Sequence, residues 1–263
     1  MTAVQEAVTE AVAVEAVPKR SMTLGYGTSL AMLALLIVVP LFVKNFIIFQ
    51  LTMLLIYALA VLALNILTGG SGQFSLGQSA FYAVGAYTSA ILMEHAGVNY
   101  ALTLPIAGVV CFAFGFLFGQ PALRLSGVYL ALATFALATA MPQLLKLGYF
   151  EEWTGGVQGL VVTKPDAPFG LPMSQDMWLY YFTLAVSIAI YIFSVNLLKS
   201  RSGRAFMAIR DNEIAASAMG IDVALYKTLA FGVSAGITGV AGGLGAIAVQ
   251  FVAPDGYTIT LAI

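Results

Sequence analysis

The chain has 263 residues, 60% of them hydrophobic and 9% charged, with a formal net charge of −1 and a mean hydropathy of +0.95. A soluble domain carries about 25% charged residues, so this composition cannot clothe a water-facing globule, and the chain reads as a polytopic membrane protein counted in apolar stretches of about 20 residues. The near-zero charge, with no basic stripe, argues against a nucleic-acid partner; a single cysteine, Cys111, and a single histidine, His95, leave no disulfide framework and no metal-ligand cluster.

Residues 1–20 are acidic and Ala/Val-rich, with EAV recurring at Glu6, Glu10 and Glu15. A signal peptide would need a basic start before a continuous apolar core, so this stretch reads as a disordered cytoplasmic tail ending near Pro18. Seven apolar spans follow, near 23–43, 46–67, 78–93, 100–119, 126–147, 177–198 and 228–250, giving an all-α transmembrane bundle over 21–263. His95 falls at a span end. With the N-terminus inside, Lys19, Arg20, Arg124, Lys199, Arg201, Arg204, Arg210 and Lys227 lie inside, and only Lys44, Lys146 and Lys164 outside. That orientation obeys the positive-inside rule, and inversion would reverse it. Trp153 and Trp178, with Tyr149, Tyr180 and Tyr181, then cluster at the outer ends of the fifth and sixth spans, as an aromatic belt would. After the seventh span the chain runs FVAPDGYT and then ITLAI, the start of another apolar helix, so the sequence reads as a fragment whose C-terminal spans are missing.

Chemistry has few places to reside. The span interiors hold no Asp, Glu, Lys or Arg away from their ends, and no carboxylate pair, HExxH or CxxC occurs, which argues against an enzyme. The same absence weighs against an ion-coupled carrier, although backbone carbonyls of broken helices can also bind ions. The segment GGSGQFSLGQS (69–79) is rich in glycine, which cannot form a firm helix. Non-helical backbone at membrane depth survives only when buried in protein or lining a cavity. Ser71, Gln73, Ser75, Gln78 and Ser79 would offer neutral hydrogen-bonding groups to a polar solute; the plainer reading is a tight cytoplasmic turn into the third span, with Gly85 and Ser89 as a small-residue packing face. The last span carries Gly232/Gly236 and Gly239/Gly243, two GxxxG pairs suited to close helix packing. The loop 148–176 contains WTGGVQGL and Pro165, Pro168 and Pro172, a structured cap or a contact for an external solute-delivery protein.

The most polar stretch is the loop 199–227, KSRSGRAFMAIRDNEIAASAMGIDVALYK. Asp211 can cap a helix starting near Asn212, Glu213 suits the positive end of its dipole, Ala215, Ala216 and Ala218 favour helix, and Gly220 is placed to end it. The spacing predicts a short helix over about 212–219, preceded by another over Gly203–Ile209 bearing Phe206. A capped helix between two spans is a place for a water-soluble partner to dock.

These residues carry a resemblance. GRAFMAIRDNEIAASAMGIDVALYK resembles the cytoplasmic coupling loop of permease subunits in branched-chain amino-acid ABC importers, of the M-type. Ala215, Ala216 and Gly220 match the EAA…G spacing of such loops, while Glu213 sits one residue further from the alanines than is common. LTGGSGQFSLGQSAFYAVGAY (67–87), RLSGVYLALATFALA (124–138) and TGGVQGL (154–160) resemble the same family. The resemblance implies a permease in the bacterial inner membrane that pairs with a second permease subunit, two cytoplasmic P-loop ATPases and a periplasmic solute-binding protein. It assigns coupling to Arg204, Arg210, Asp211, Glu213, Ala215, Ala216 and Gly220, and the pathway to Gln73, Ser75, Gln78 and Ser79. The chain has no GxxxxGK[ST], so the ATP would be used by the partner subunit and this chain would bind no cofactor. Urea and short-chain amide importers use similar permeases and remain alternatives for the solute.

Overall fold

A computed structural model describes residues 32–122, 127–149, 151–166 and 173–257. The acidic stretch 1–20, the first part of the first expected span, Arg124, Pro168, Pro172 and the terminal ITLAI lie outside the described residues. The described chain falls into two units, up to Lys44 and from Asn45 onward. In the first unit, α1 (Met32–Leu41) ends in a tight turn, Val39–Leu41. Pro40 at its start has no N–H to continue the α-helical ladder, and Phe42 N–H instead donates to the Val39 carbonyl, 3.1 Å.

The second unit is built of helices α2 (Asn45–Gly70), α3 (Gln78–Glu94), α4 (Tyr100–Ala122), α5 (Val128–Leu145), α6 (Glu151–Thr154), α7 (Gln175–Lys199), α8 (Arg201–Asp211), α9 (Glu213–Ala218) and α10 (Val223–Val249). Two short strands, β1 (Leu160–Val161) and β2 (Phe251–Val252), pair antiparallel with Leu160 opposite Val252. Among the described residues five helices are long and apolar enough to cross a bilayer: α2, α4, α5, α7 and α10. α3 has 17 residues and carries Ser79, Tyr82, Gly85, Tyr87 and Ser89 among its apolar ones. The protein is an all-α polytopic membrane bundle, and its helix boundaries follow the apolar runs to within a few residues. The exception is α10, which begins five residues before the expected 228 because Asp222, in extended backbone, caps it: Asp222 Oδ1 accepts from Leu225 N–H, 3.0 Å.

α10 is the axle of this unit. It packs against α4, α3 and α2, while α7 lies on α2. The fit of α3, α4 and α10 depends on small residues: a Cβ on Gly85 would run into the Gly239 carbonyl, one on Gly239 into Cys111, and one on Gly242 into the Tyr82 carbonyl. Lipid tails are as apolar as leucine, so helices associate through such close packing rather than through the hydrophobic effect. The expected packing roles of Gly85 and the α10 glycines hold. Around them sits a buried core of Ile56, Leu59, Phe81, Tyr82, Phe231 and Leu244, with Phe81 edge-on to Phe231 at 5.6 Å.

The end of α10 remote from the charged loop is clasped by the segment after α5. β1 pairs with β2, and Lys146 bonds Asp255 at 2.5 Å. Tyr257 packs between Tyr82 and Tyr87 (5.9 and 6.1 Å between rings). Burial there, helped by the neighbouring phenols, pushes the Tyr257 phenol above its ordinary range. The TGGVQGL motif thus forms a structured cap. At the same end Trp178 Nε1 donates to Tyr100 Oη, 3.0 Å, and Trp153 meets His95 edge-on at 5.4 Å, with His95 at the C-cap of α3 as the sequence implied. Tyr180 departs from the belt expectation: it is fully buried, because it lies on the side of α7 that faces the protein.

Candidate functional site

At the charged end, α7 passes into α8 through Ser200, whose extended backbone breaks the helix and whose Oγ accepts from Gly203 N–H, 3.4 Å. α8 buries Ala205, Phe206 and Ile209 and exposes Arg201, Arg204 and Arg210, the alternation of a helix with one face on protein. Phe206 lies edge-on to Tyr226 of α10, 6.2 Å between rings. Arg204 Nη1 donates back to the Lys199 carbonyl, 3.2 Å.

The expected cap of the second helix needs correction. Asp211 is the last residue of α8, and its Oδ1 accepts from Arg210 Nε and Nη2 at 3.1 and 3.0 Å. Asn212 is the cap: its backbone is extended (φ −159°, ψ 107°) and its Oδ1 accepts from Ala215 N–H, 3.0 Å. An N-cap requires non-helical backbone, and Asp211 is still helical. The other end of α9 is as expected. Gly220 adopts φ +82°, its N–H donates to Ser217 O (3.0 Å), and Ile221 N–H donates to Ala216 O (3.1 Å), a Schellman ending.

Glu213 does more than favour the helix dipole. Its Oε1 meets Lys227 Nζ at 2.7 Å, tying α9 to the first turns of α10. Ala216 is buried, whereas Ile214 is 81% and Met219 83% exposed. The capped helix therefore presents two large apolar side chains, Ile214 and Met219, to its surroundings. Ile214 and Met219 are not among the residues singled out from the sequence, where the alanines between them dominate; their signal is an Ile and a Met flanking a small-residue helix in the most polar stretch of the chain.

The glycine-serine segment begins differently from expectation. Gly69 and Gly70 are helical, in a π-type turn over Ile66–Gly70 that closes α2. The break comes at Gly72, with φ +73°, and the chain runs without regular structure over 72–77 until α3 begins. Gln73, Ser75, Gln78 and Ser79 are all buried. Gln73 Nε2 donates to Ser71 Oγ (2.9 Å) and to the Lys227 carbonyl (3.1 Å). Ser75 Oγ accepts from Gly77 N–H, 3.2 Å. Gln78 Nε2 donates to Ser234 Oγ (2.9 Å), and Thr238 Oγ1 donates to Gln78 Oε1 (2.6 Å). Ser234 Oγ donates in turn to the Ala63 carbonyl of α2, 2.8 Å. Ser79 Oγ, fully enclosed, has no hydrogen-bond partner among the described residues.

The structure thus gathers the two groups of candidate residues into one assembly. Gln73 and Gln78 both hold α10, at Lys227 and at Ser234/Thr238, and Glu213 holds the same lysine from α9. The sequence pointed to the amides and the cap; it did not reveal Ser234, Thr238 and Lys227 as their partners, which lie about 150 residues away in the chain.

Comparison with known proteins gives the family of the chain. The family model described as "Branched-chain amino acid transport system / permease component" matches residues 46–263. The high-affinity branched-chain amino acid transport system permease protein LivM of Salmonella typhimurium is 35% identical over 230 residues, covering 79% of this chain and 54% of that protein. LivM of Escherichia coli is 34% identical over 251 residues, covering 87% of this chain and 59% of that protein. A probable LivM of Methanocaldococcus jannaschii is 26% identical over 142 residues, 54% of this chain and 40% of that protein. The chain thus spans between half and three-fifths of the length of the two bacterial relatives. No solved structure matches it. With the family model covering all of the second unit but its first residue, the chain belongs to the permease component family of branched-chain amino acid transport systems.

Proposed function

We propose that this protein is a permease subunit of an ATP-driven importer that moves branched-chain amino acids across the bacterial inner membrane. In this reading it pairs with a second permease subunit, takes solute from a periplasmic binding protein and is driven by two cytoplasmic P-loop ATPases that hydrolyse the ATP. The positive-inside count puts the charged end in the cytoplasm. The observation that carries the reading is α9: a helix capped at both ends, lying outside the apolar spans and holding out Ile214 and Met219. Large exposed apolar side chains on a rigid support mark a protein contact, and a surface that must be gripped by an ATPase needs such anchors. The solute route would run beside Gln73, Ser75, Gln78 and Ser79, neutral groups suited to a zwitterion without net charge.

The reading is tested by purifying the tagged full chain from its native membrane and measuring ATP-dependent leucine uptake after reconstitution with the purified binding protein. A P-loop ATPase should co-purify, and the double change Ile214→Asp and Met219→Asp should remove it, since an unpaired charge would be forced into a dry contact. Excess unlabelled isoleucine should compete with leucine, and urea should not. Uptake driven by an ion gradient without any bound ATPase would overturn the proposal; competition by urea would reassign the solute.

A further inference from the structure

Arg210 of the charged helix pair reaches the broken end of α2. Its Nη1 donates to the Gly69 carbonyl, 2.8 Å. This contact has a local cause. The π-type turn widens the end of α2, Gly72 N–H goes to Thr68 O and Gln73 N–H skips back to Leu67 O (3.1 and 3.3 Å). Gly69 O then lies among the last carbonyls of a helix, which have no intrahelical donor. A guanidinium is a strong partner for such a carbonyl, both as a charged donor and through the negative end of the helix dipole. The aliphatic stem of Arg210 lies on Gly72: a Cβ there would stand 3.0 Å from Arg210 Cγ, at a φ that disfavours any side chain. Asp211 holds the other edge of the guanidinium, so the fork is fixed from both sides.

A second strand of contacts runs parallel to the first. Glu213 grips the Lys227 ammonium, and Gln73 grips the Lys227 carbonyl. The helix pair α8–α9 is thereby fastened to the segment 69–78 directly through Arg210 and indirectly through Lys227. Five residues beyond Gln73, Gln78 reaches Ser234 and Thr238 of α10. The resemblance groups Arg210 with the coupling residues, and its guanidinium is engaged by Gly69 and Asp211 of its own chain.

We propose that Arg210 is a positioning residue that transmits movement of the α8–α9 pair to the π-type turn of α2 and so to the Gln73–Gln78 segment. This inference rests on the coupling role proposed above. π-type turns occur often at functional sites, and one whose end carbonyl is held by a side chain from another element has two available states, held and released. Displacing α8 would release Gly69 and free the segment that follows it.

The test uses the reconstituted importer with leucine as the probe. In Arg210→Gln the ATPase should stay bound and hydrolyse ATP near the wild-type rate, while leucine moved per ATP falls about tenfold, within the usual range of coupling free energies. Gly72→Ala should uncouple in the same way by displacing the arginine stem. Arg210→Lys should recover part of the ratio, because an ammonium can reach the carbonyl but cannot also fork onto Asp211. A merely structural role would lower the amount of folded complex without changing the ratio. Loss of ATPase binding in Arg210→Gln would overturn the proposal in favour of a docking role, and an unchanged ratio would overturn it outright. A readout independent of transport separates this idea from the functional reading: maleimide labelling of Ser75→Cys in the detergent-purified chain should quicken when Arg210→Gln is added. If leucine uptake is absent from the wild type, the transport reading fails, and the labelling rate alone decides whether Arg210 holds the segment.

Discussion

Helices α7 and α10 have nearly the same length, 25 and 27 residues, and both are apolar enough to cross a bilayer, yet only 17% of the most apolar stretch of α7 is buried against 78% of that of α10. The difference lies in side-chain size. α10 carries six glycines between Gly232 and Gly245, and α7 carries none. In water both would be driven inside, but in lipid an Ile or a Phe gains little by leaving the hydrocarbon. Burial goes to the helix whose neighbours can approach its backbone. α7 accordingly turns Tyr191, Ile192 and Phe193 outward, whereas α10 meets α3 at Gly85 and Gly239 almost backbone to backbone. Hydropathy selects which segments span; the distribution of small residues selects which span becomes the axle.

The contrast can be broken most forcefully at that contact. Gly85→Leu should destabilise the detergent-solubilised protein by about 3 kcal/mol or prevent its accumulation, since overpacking against a backbone carbonyl cannot be relieved by a rotamer change; a thermal-melting shift measures it. Melting close to wild type would mean that α3 and α10 are further apart than described. A smaller effect is expected at Gln78→Leu, which removes the amide that joins α3 to Ser234 and Thr238. The stability loss should be about 1 kcal/mol, because Ser234 and Thr238 keep bonds to Ala63 O and Ser234 O. Leucine uptake should fall by more than the loss of folded protein if this segment lines the route, and in proportion to it if the amide only holds the helices together. The smallest change is expected on the outward helix. Thr183 in α7 is fully buried, and its Oγ1 has no hydrogen-bond partner among the described residues. Thr183→Val keeps the shape and removes the unsatisfied hydroxyl, so it should leave melting unchanged or raise stability by up to about 1 kcal/mol. A clear loss would reveal a partner for that hydroxyl.

Much of the candidate site was visible before folding. The capping residues of α9, its glycine ending and the amides of the 69–79 segment are chemical types whose uses are few. What remained hidden depended on alternatives of equal local merit. Asp211 and Asn212 are both good caps, and only the point at which α8 stops, set by the packing of Phe206 and Ile209, chooses between them. Gly69 and Gly70 could equally have been loop; they stay helical in a structure where Arg210, 141 positions away, satisfies the Gly69 carbonyl. Gln78 is an amide without an assigned partner until α10 is laid beside α3.

By itself the sequence determined that this is a helical membrane protein, where its long apolar helices begin and end to within a few residues, and that its polar chemistry is concentrated in two short segments. Those features follow from the length of hydrocarbon a helix must cross and from the backbone demands of caps and glycines, which are local. Only the tertiary structure decided that α10 is the buried axle, that Gln73, Gln78 and Glu213 converge on it, and that Arg210 turns inward to the end of α2. These are contacts between residues distant in the chain, where a hydrogen-bonding side chain declares what it can bond but not what it will meet.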